Sequence, residues 1–168
     1  YVACWGRNYL YRNDKGQGFT DVTFAAGVNM NGRSESVSWG DLNADGHLDL
    51  VVGTYPPATV PDATDPDQYD RIFLSDGDGT FTDITHAFEQ NRLLQPTLAS
   101  VITDLDFDGD QDIWIGNDKE VGNALWRNDG PGCGGWCFTE VSIETGTFRP
   151  AYTMGVAVGD CDLSLIHI

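Results

Sequence analysis

One phrase occurs three times in this chain, and its recurrence constrains the fold more than any other feature. Tyr9-Leu10-Tyr11-Arg12-Asn13-Asp14 returns as Arg71-Ile72-Phe73-Leu74-Ser75-Asp76 and again as Ala124-Leu125-Trp126-Arg127-Asn128-Asp129. A second phrase follows each copy: Phe19-Thr20-Asp21-Val22-Thr23, then Phe81-Thr82-Asp83-Ile84-Thr85, then Phe138-Thr139-Glu140-Val141-Ser142, at steps of 62 and 57 residues. Internal similarity at a near-constant step marks a repeat architecture, in which each unit buries its apolar face against the next.

A pattern of carboxylates shares the period. Asp41-Leu42-Asn43-Ala44-Asp45-Gly46-His47-Leu48-Asp49 and Asp104-Leu105-Asp106-Phe107-Asp108-Gly109-Asp110-Gln111-Asp112 both read D-x-[DN]-x-D-G-x-x-D and lie 63 residues apart. Alternate positions supply side-chain oxygens, and the glycine permits a sharp turn. Hard oxygen ligands at this spacing suit Ca²⁺. The expected ligands are the side chains of Asp41, Asn43, Asp45 and Asp49, and of Asp104, Asp106, Asp108 and Asp112. The backbone carbonyls of His47 and Asp110 complete the two shells. A single such loop also reads as a solvated acidic turn; repetition of the whole ligand set in the same context favours metal.

The surroundings exclude an EF-hand, which needs a bidentate Glu at its twelfth position and a helix on each side. The twelfth positions here are Val52 and Ile115. Short apolar runs ending in Gly follow each loop, Leu48 to Gly53 and Asp112 to Gly116, and Ser36–Trp39 and Ser100–Thr103 precede them. All four read as strands. Each unit therefore reads strand, acidic loop, strand, connector, strand, Gly-rich turn, strand. Four short antiparallel strands per unit is the composition of a propeller blade. The expected fold is all-β: a partial β-propeller of four-stranded antiparallel blades with calcium loops between strands.

The combination of Ser38-Trp39-Gly40, the loop at 41–49, Val51-Val52-Gly53, and the phrases at 10–14 and 18–23 resembles the FG-GAP/VCBS repeat family. These propeller units occur in integrin α heads and in many secreted proteins, and the phrase around Tyr11 and Thr23 is most similar to the cartilage acidic protein branch. The resemblance spans nearly all of residues 1–162. Asn43 replaces an Asp, a tolerated oxygen ligand, and no literal Phe-Gly precedes the first loop. The resemblance implies inter-strand calcium and several blades. It divides the chain into a partial blade at 1–27, complete blades at 34–90 and 96–145, and the start of another at 150–162. Residues 163–168, Leu-Ser-Leu-Ile-His-Ile, read as a non-native tail similar to a translated transposon end used in library preparation. Fewer than three complete blades, where propellers close with four to eight, implies a longer native protein.

With 26 acidic and 9 basic residues the formal net charge is −17. That opposes nucleic acid and anionic membrane as partners by repulsion, and no apolar run suits membrane insertion. Calcium loops of this kind fit an extracellular or cell-surface setting, where affinities of roughly 10⁻⁴–10⁻³ M suffice. Cys133 and Cys137 bracket an enlarged hairpin turn, where a disulfide is expected. No zinc spacing and no nucleophile–base pairing stands out. The leading expectation is a secreted, non-catalytic adhesion or ligand-binding module with a protein or glycan partner. The alternative is a propeller scaffold of a polysaccharide-active enzyme, or a lectin. The long acidic, Pro-rich connector at 55–69 is the candidate recognition segment, expected to be exposed. Trp5, Tyr11, Trp39, Trp114 and Trp126 are expected in the core.

Overall fold

The computed structural model describes residues 1–57, 64–88, 94–132 and 135–159. The described residues form strands, turns and two short 3-10 segments at Pro66–Gln68 and Thr85–Ala87, without an α-helix. The chain is all-β and antiparallel. Strands β1 (Tyr11–Asn13) and β2 (Phe19–Asp21) make a hairpin. Strands β3 (Ser34–Gly40), β4 (Asp49–Thr54), β5 (Arg71–Ser75) and β6 (Phe81–Asp83) form a four-stranded sheet in chain order. A second sheet repeats it with β7 (Thr97–Thr103), β8 (Asp112–Asn117), β10 (Ala124–Gly132) and β11 (Gly135–Glu140). Between β8 and β10, the short β9 (Val121–Gly122) pairs with β12 (Pro150–Ala151). The end of the last partial blade, residues 160–162, and the tail at 163–168 lie outside the described residues.

The repeated phrases have a physical reason. In the first copy, Asp21 Oδ1 accepts the backbone N–H of Thr23 at 3.0 Å, and Thr23 Oγ1 accepts the N–H of Leu10 at 2.8 Å. Asp83, Thr85 and Ile72 do the same in the second, at 2.9 and 3.1 Å. In the third, Glu140 accepts the N–H of Ser142 at 3.2 Å. Across each hairpin a threonine hydroxyl on the outgoing strand also donates to an aspartate at the turn: Thr20 to Asp14, Thr82 to Asp76, Thr139 to Asp129. Sequence repetition here is repetition of the turn chemistry that fixes hairpin register.

Both faces of β4 are covered, which explains its unbroken apolar run. Val51 joins Leu42, Ile72, Ile84, Ile113, Ile115 and Trp126 in a core between the two sheets. Leu50 and Val52, on the opposite face by the period of two, pack with Ala26, Val28, Met30 and Phe73 in a second core toward the N-terminal segment. Phe88 closes the first core, edge-on to Trp126 at 5.1 Å and stacked on Phe138 at 4.5 Å.

A buried polar clasp recurs between successive units. Asn8 Oδ1 accepts the N–H of Cys4 at 2.9 Å while its Nδ2 donates to Ser34 Oγ at 2.7 Å. Asp70 Oδ1 accepts from Thr54 N at 2.7 Å, and Oδ2 accepts from Thr97 Oγ1 at 2.8 Å. Asn123 Oδ1 accepts from Asn117 N at 2.9 Å and Thr153 Oγ1 at 3.0 Å. In the first two units the partner hydroxyl is on the opening residue of the next sheet's first strand, β3 or β7; in the third it is two residues beyond β12. The clasps therefore tie each unit to the segment that follows. Burial is possible because the polar atoms are paired.

β3 and β7 run side by side in different sheets, joined where Ser38 Oγ donates to the Ser100 carbonyl at 2.7 Å. Gly40 makes that approach possible: a Cβ there would sit 2.3 Å from Ile102 Cγ2 and 2.5 Å from Gln111 Oε1. Gly40→Ala is expected to push the sheets apart and lower stability by about 1–3 kcal/mol. The readout is the urea midpoint at constant slope. An unchanged midpoint would show that no close contact exists there.

Two expectations need correction. Among the named aromatics, only Trp126 is fully buried; Trp5 is 74 % exposed, Tyr11 and Trp39 are also exposed, and Trp114 is half-buried. Strand membership alone did not decide burial, because each strand offers one residue in two to each face. Trp5 sits at an isolated bridge to Arg33 rather than within a strand. The connector is also not wholly exposed: Tyr55, Pro56 and Tyr69 are buried, and Tyr69 belongs to the core between the sheets. Its residues 58–63 lie outside the described residues.

Candidate metal centre

The first acidic loop joins β3 to β4 and the second joins β7 to β8. Both turn by the same unusual backbone. The sixth-position glycines have φ of +86° at Gly46 and +100° at Gly109, and the fourth positions, Ala44 and Phe107, are left-handed too at +55° and +63°. Non-glycine residues in this region carry strain that the surrounding structure must hold in place.

That turn aims backbone N–H groups at the carboxylates. In the first loop Asp41 Oδ1 accepts from Asp45 N at 3.1 Å and Oδ2 from Gly46 N at 2.9 Å. Asp45 Oδ1 accepts from His47 N at 2.8 Å, and Asn43 Nδ2 donates to Asp45 Oδ2 at 2.9 Å. The His47 N–H bond, foremost, holds the Asp45 carboxyl below its usual range. In the second loop Asp104 Oδ2 accepts from Gly109 N at 3.1 Å, Asp106 Oδ1 from Asp108 N at 3.3 Å, and Asp108 Oδ1 from Asp110 N at 2.9 Å. The first, third and fifth positions thus share one pocket of the turn.

Carboxylate oxygens of Asp104, Asp106 and Asp108 all lie within 4.8 Å of one another. Asp104 Oδ1 is buried and has no hydrogen-bond partner. A buried, unpaired carboxylate oxygen is unfavourable, and so is packing three like charges together. A hard cation relieves both, and all-oxygen donors are the set Ca²⁺ takes. The residues therefore fit the ion.

The ninth-position aspartates are placed differently from the other three. Asp49 is fully buried at the start of β4, where Oδ2 accepts from Leu42 N at 2.7 Å and Oδ1 from Ser75 N at 2.8 Å. Asp112 does likewise, with Leu105 N and Asn128 N both at 2.9 Å. Each closes its own loop and ties it to the neighbouring strand, β5 or β10. Burial, opposed by these N–H bonds, raises both carboxyls above their ordinary pKa. The His47 side chain is exposed and leans over Gly77 in the β5–β6 turn, and Asp110 lies beside Gly130 in β10.

Sequence reading missed two groups of residues. The clasps at Asn8, Asp70 and Asn123 each stand one position before the first repeated phrase, so aligning the copies one residue further upstream would have found them. Asn128 is the other. It is buried within the repeated phrase, yet it touches both acidic loops and the β10–β11 hairpin. Cys137, on that hairpin, is disulfide-bonded, while Cys133, the partner expected from sequence, lies outside the described residues. Cys4 is free.

No helix among the described residues is long and apolar enough to cross a membrane. A search among curated proteins found no match. The repeat itself is matched: residues 1–52, running from the N-terminal segment through the first acidic loop into β4, fit the family described as an FG-GAP-like repeat, which supports the repeat family to which the loop and hairpin phrases point.

Proposed function

We propose that this chain is a calcium-stabilised, non-catalytic binding module that works outside the cell, and that its two four-stranded sheets are neighbouring blades of a β-propeller. The observation that carries the metal reading is the buried, unpartnered Asp104 Oδ1 within the Asp104–Asp106–Asp108 cluster. Asp41, Asn43 and Asp45 supply the equivalent oxygens in the first loop. The carbonyls of His47 and Asp110 and the remaining lone pairs of Asp49 and Asp112 complete the two sites. Calorimetric titration of the full chain with CaCl₂ is expected to give two ions per chain, and Asp104→Ala to leave one. Absence of uptake would return both loops to solvated turns.

The propeller reading rests on a groove in the second sheet. Leu105, Trp114, Leu125 and Val141 line a cavity of about 490 Å³. They stand at the repeat positions of Leu42, Val51, Ile72 and Ile84, which the second sheet covers on the first. The matching occupant is a further sheet of the same kind, and continued stacking of this sort is what closes a propeller.

A recognition surface is supported on the connector side. A cleft of about 540 Å³ is lined by Trp5, Arg33, Tyr55, Asp67 and Lys119. The Arg33 guanidinium lies 4.4 Å from the Trp5 ring and 4.0 Å from the Tyr55 ring, and Lys119 Nζ lies 4.5 Å from Tyr55. Trp5 Nε1 donates to Glu35 at 3.1 Å and the Tyr55 hydroxyl to Asp118 at 2.7 Å. The aromatic platform is thereby held rigid, which lowers the entropy lost on binding. A protein or glycan ligand would meet the exposed Trp5 face. On a glycan array and a panel of extracellular matrix proteins, Trp5→Ala is expected to reduce binding at least tenfold with calcium-dependent melting unchanged. Undiminished binding would make the cleft passive. The disulfide at Cys137 suits an oxidising, calcium-rich compartment.

A further inference from the structure

We infer that the two acidic loops bind calcium cooperatively, and that the Asn128 side chain is the positioning residue that couples them; this rests on the calcium reading above. Asn128 is buried in β10 and every polar atom of its side chain is engaged. Its Nδ2 donates to the Leu42 carbonyl in the first loop at 2.7 Å and to the Gln111 carbonyl in the second at 3.0 Å. Its Oδ1 accepts from Trp136 Nε1 at 2.6 Å and Gly130 N at 3.1 Å. With two carbonyls facing the nitrogen and two N–H donors facing the oxygen, the amide has one orientation.

A continuous hydrogen-bonded path follows. Asp112 of the second loop accepts the Asn128 N–H at 2.9 Å. The Asn128 side chain grips the Leu42 carbonyl, and the Leu42 N–H is held by Asp49 of the first loop at 2.7 Å. Each ninth-position aspartate thus sits at one end of the path. Leu42 is also buried in the core between the sheets, so its peptide cannot shift without disturbing that packing. When an ion draws one loop into its ligating form, it fixes Asn128. The other loop is then ordered in advance, and its ion binds with less entropy loss. The effect is reciprocal. Direct repulsion between two cations has the opposite sign, so the sign of the coupling identifies its origin.

Position 75, the repeat counterpart of Asn128, shows what is lost without the amide. Ser75 N still donates to Asp49 at 2.8 Å, but a serine is too short to bridge two loops. Asn128→Ser should therefore keep the local clasp and remove the bridge.

The test is a double-mutant cycle on the full chain, with calcium affinity of the second loop read by calorimetry. Disabling the first loop by Asp45→Ala is expected to weaken the second loop about fivefold or more. In an Asn128→Ser background the same change is expected to leave the second loop's Kd within about twofold, the remainder usual for uncoupled sites. An unchanged second-loop affinity in Asp45→Ala, a tightening, or an equal loss with and without Asn128 would each overturn the coupling while leaving the calcium reading intact. Absence of calcium uptake by the unaltered chain would overturn both. Hydrogen exchange in the Asp45→Ala chain decides the matter without altering Asn128. Calcium then reaches the second loop alone and is expected to slow exchange at the Leu42 amide severalfold more than at the β4 amides, which global stabilisation slows equally; an unaltered rate, or the same slowing at both, overturns the coupling.

Discussion

Removing calcium with EDTA is expected to lower the melting temperature of the full chain by roughly 10–20 °C. An ion that binds only the native state stabilises it by mass action, by about 2.7 kcal/mol per site at a hundred times the Kd. Two such sites contribute about 5 kcal/mol, and for a domain of this size each kcal/mol moves the melting point by about 2–4 °C. The effect is structural because each loop joins the first two strands of its sheet, and its ninth aspartate reaches the third. Asp108→Ala is expected to lower the calcium-saturated melting point by at least half the full effect, and EDTA to cause only the remainder in that variant. A melting curve indifferent to EDTA would refute a structural role for the ion.

Asp70→Asn is expected to raise stability at pH 8 by about 2–4 kcal/mol. Burial pushes the Asp70 carboxyl up to about 7 from 3.8, against the pull of the Thr54 N–H and the Thr97 hydroxyl. A folded pKa above the unfolded one means that the native state holds a proton the unfolded chain has released. This contribution is therefore fully present below about pH 4, declines as pH rises to about 7, and is absent above. At 1.36 kcal/mol per pKa unit, a gap of about three units sets a ceiling near 4 kcal/mol. Asparagine needs no proton to fill the same role. Asn8 demonstrates this, with its Oδ1 on Cys4 N and its Nδ2 on Ser34 Oγ. The comparison to make is the difference in unfolding free energy between wild type and variant from pH 4 to pH 8. It is expected to grow with pH and level off near 7; a variant less stable at pH 8 would mean that the hydrogen bonds from Thr54 and Thr97 outweigh the cost of burying the Asp70 charge.

The acidic loops, the strands that flank them and the aromatic hairpins were legible in the sequence because each is set locally. A glycine six residues into a loop, alternate oxygens, and apolar runs with period two act within about ten residues of chain. The repeat then carried the argument from one copy to the others, and the two sheets follow the same strand order. The roles of Asp49 and Asp112 were legible only in part. Ligand spacing marked them as candidate oxygen donors, but the hydrogen bonds that make them clasps reach β5 and β10, outside the loop. The tryptophans misled for a related reason: alternation says that two faces differ, and only the neighbouring sheet decides which is covered.

What the sequence determined by itself is the unit: its strands, its turn and the oxygen set of its loop. Tertiary structure decided how units join. Asn128 meets the Leu42 carbonyl 86 residues away, Asp70 meets Thr97 across two sheets, and Gly40 lets β3 approach β7. These contacts carry no local signature, because the free energy of a buried polar bond or a missing Cβ depends on what packing brings opposite it, and that partner lies far along the chain.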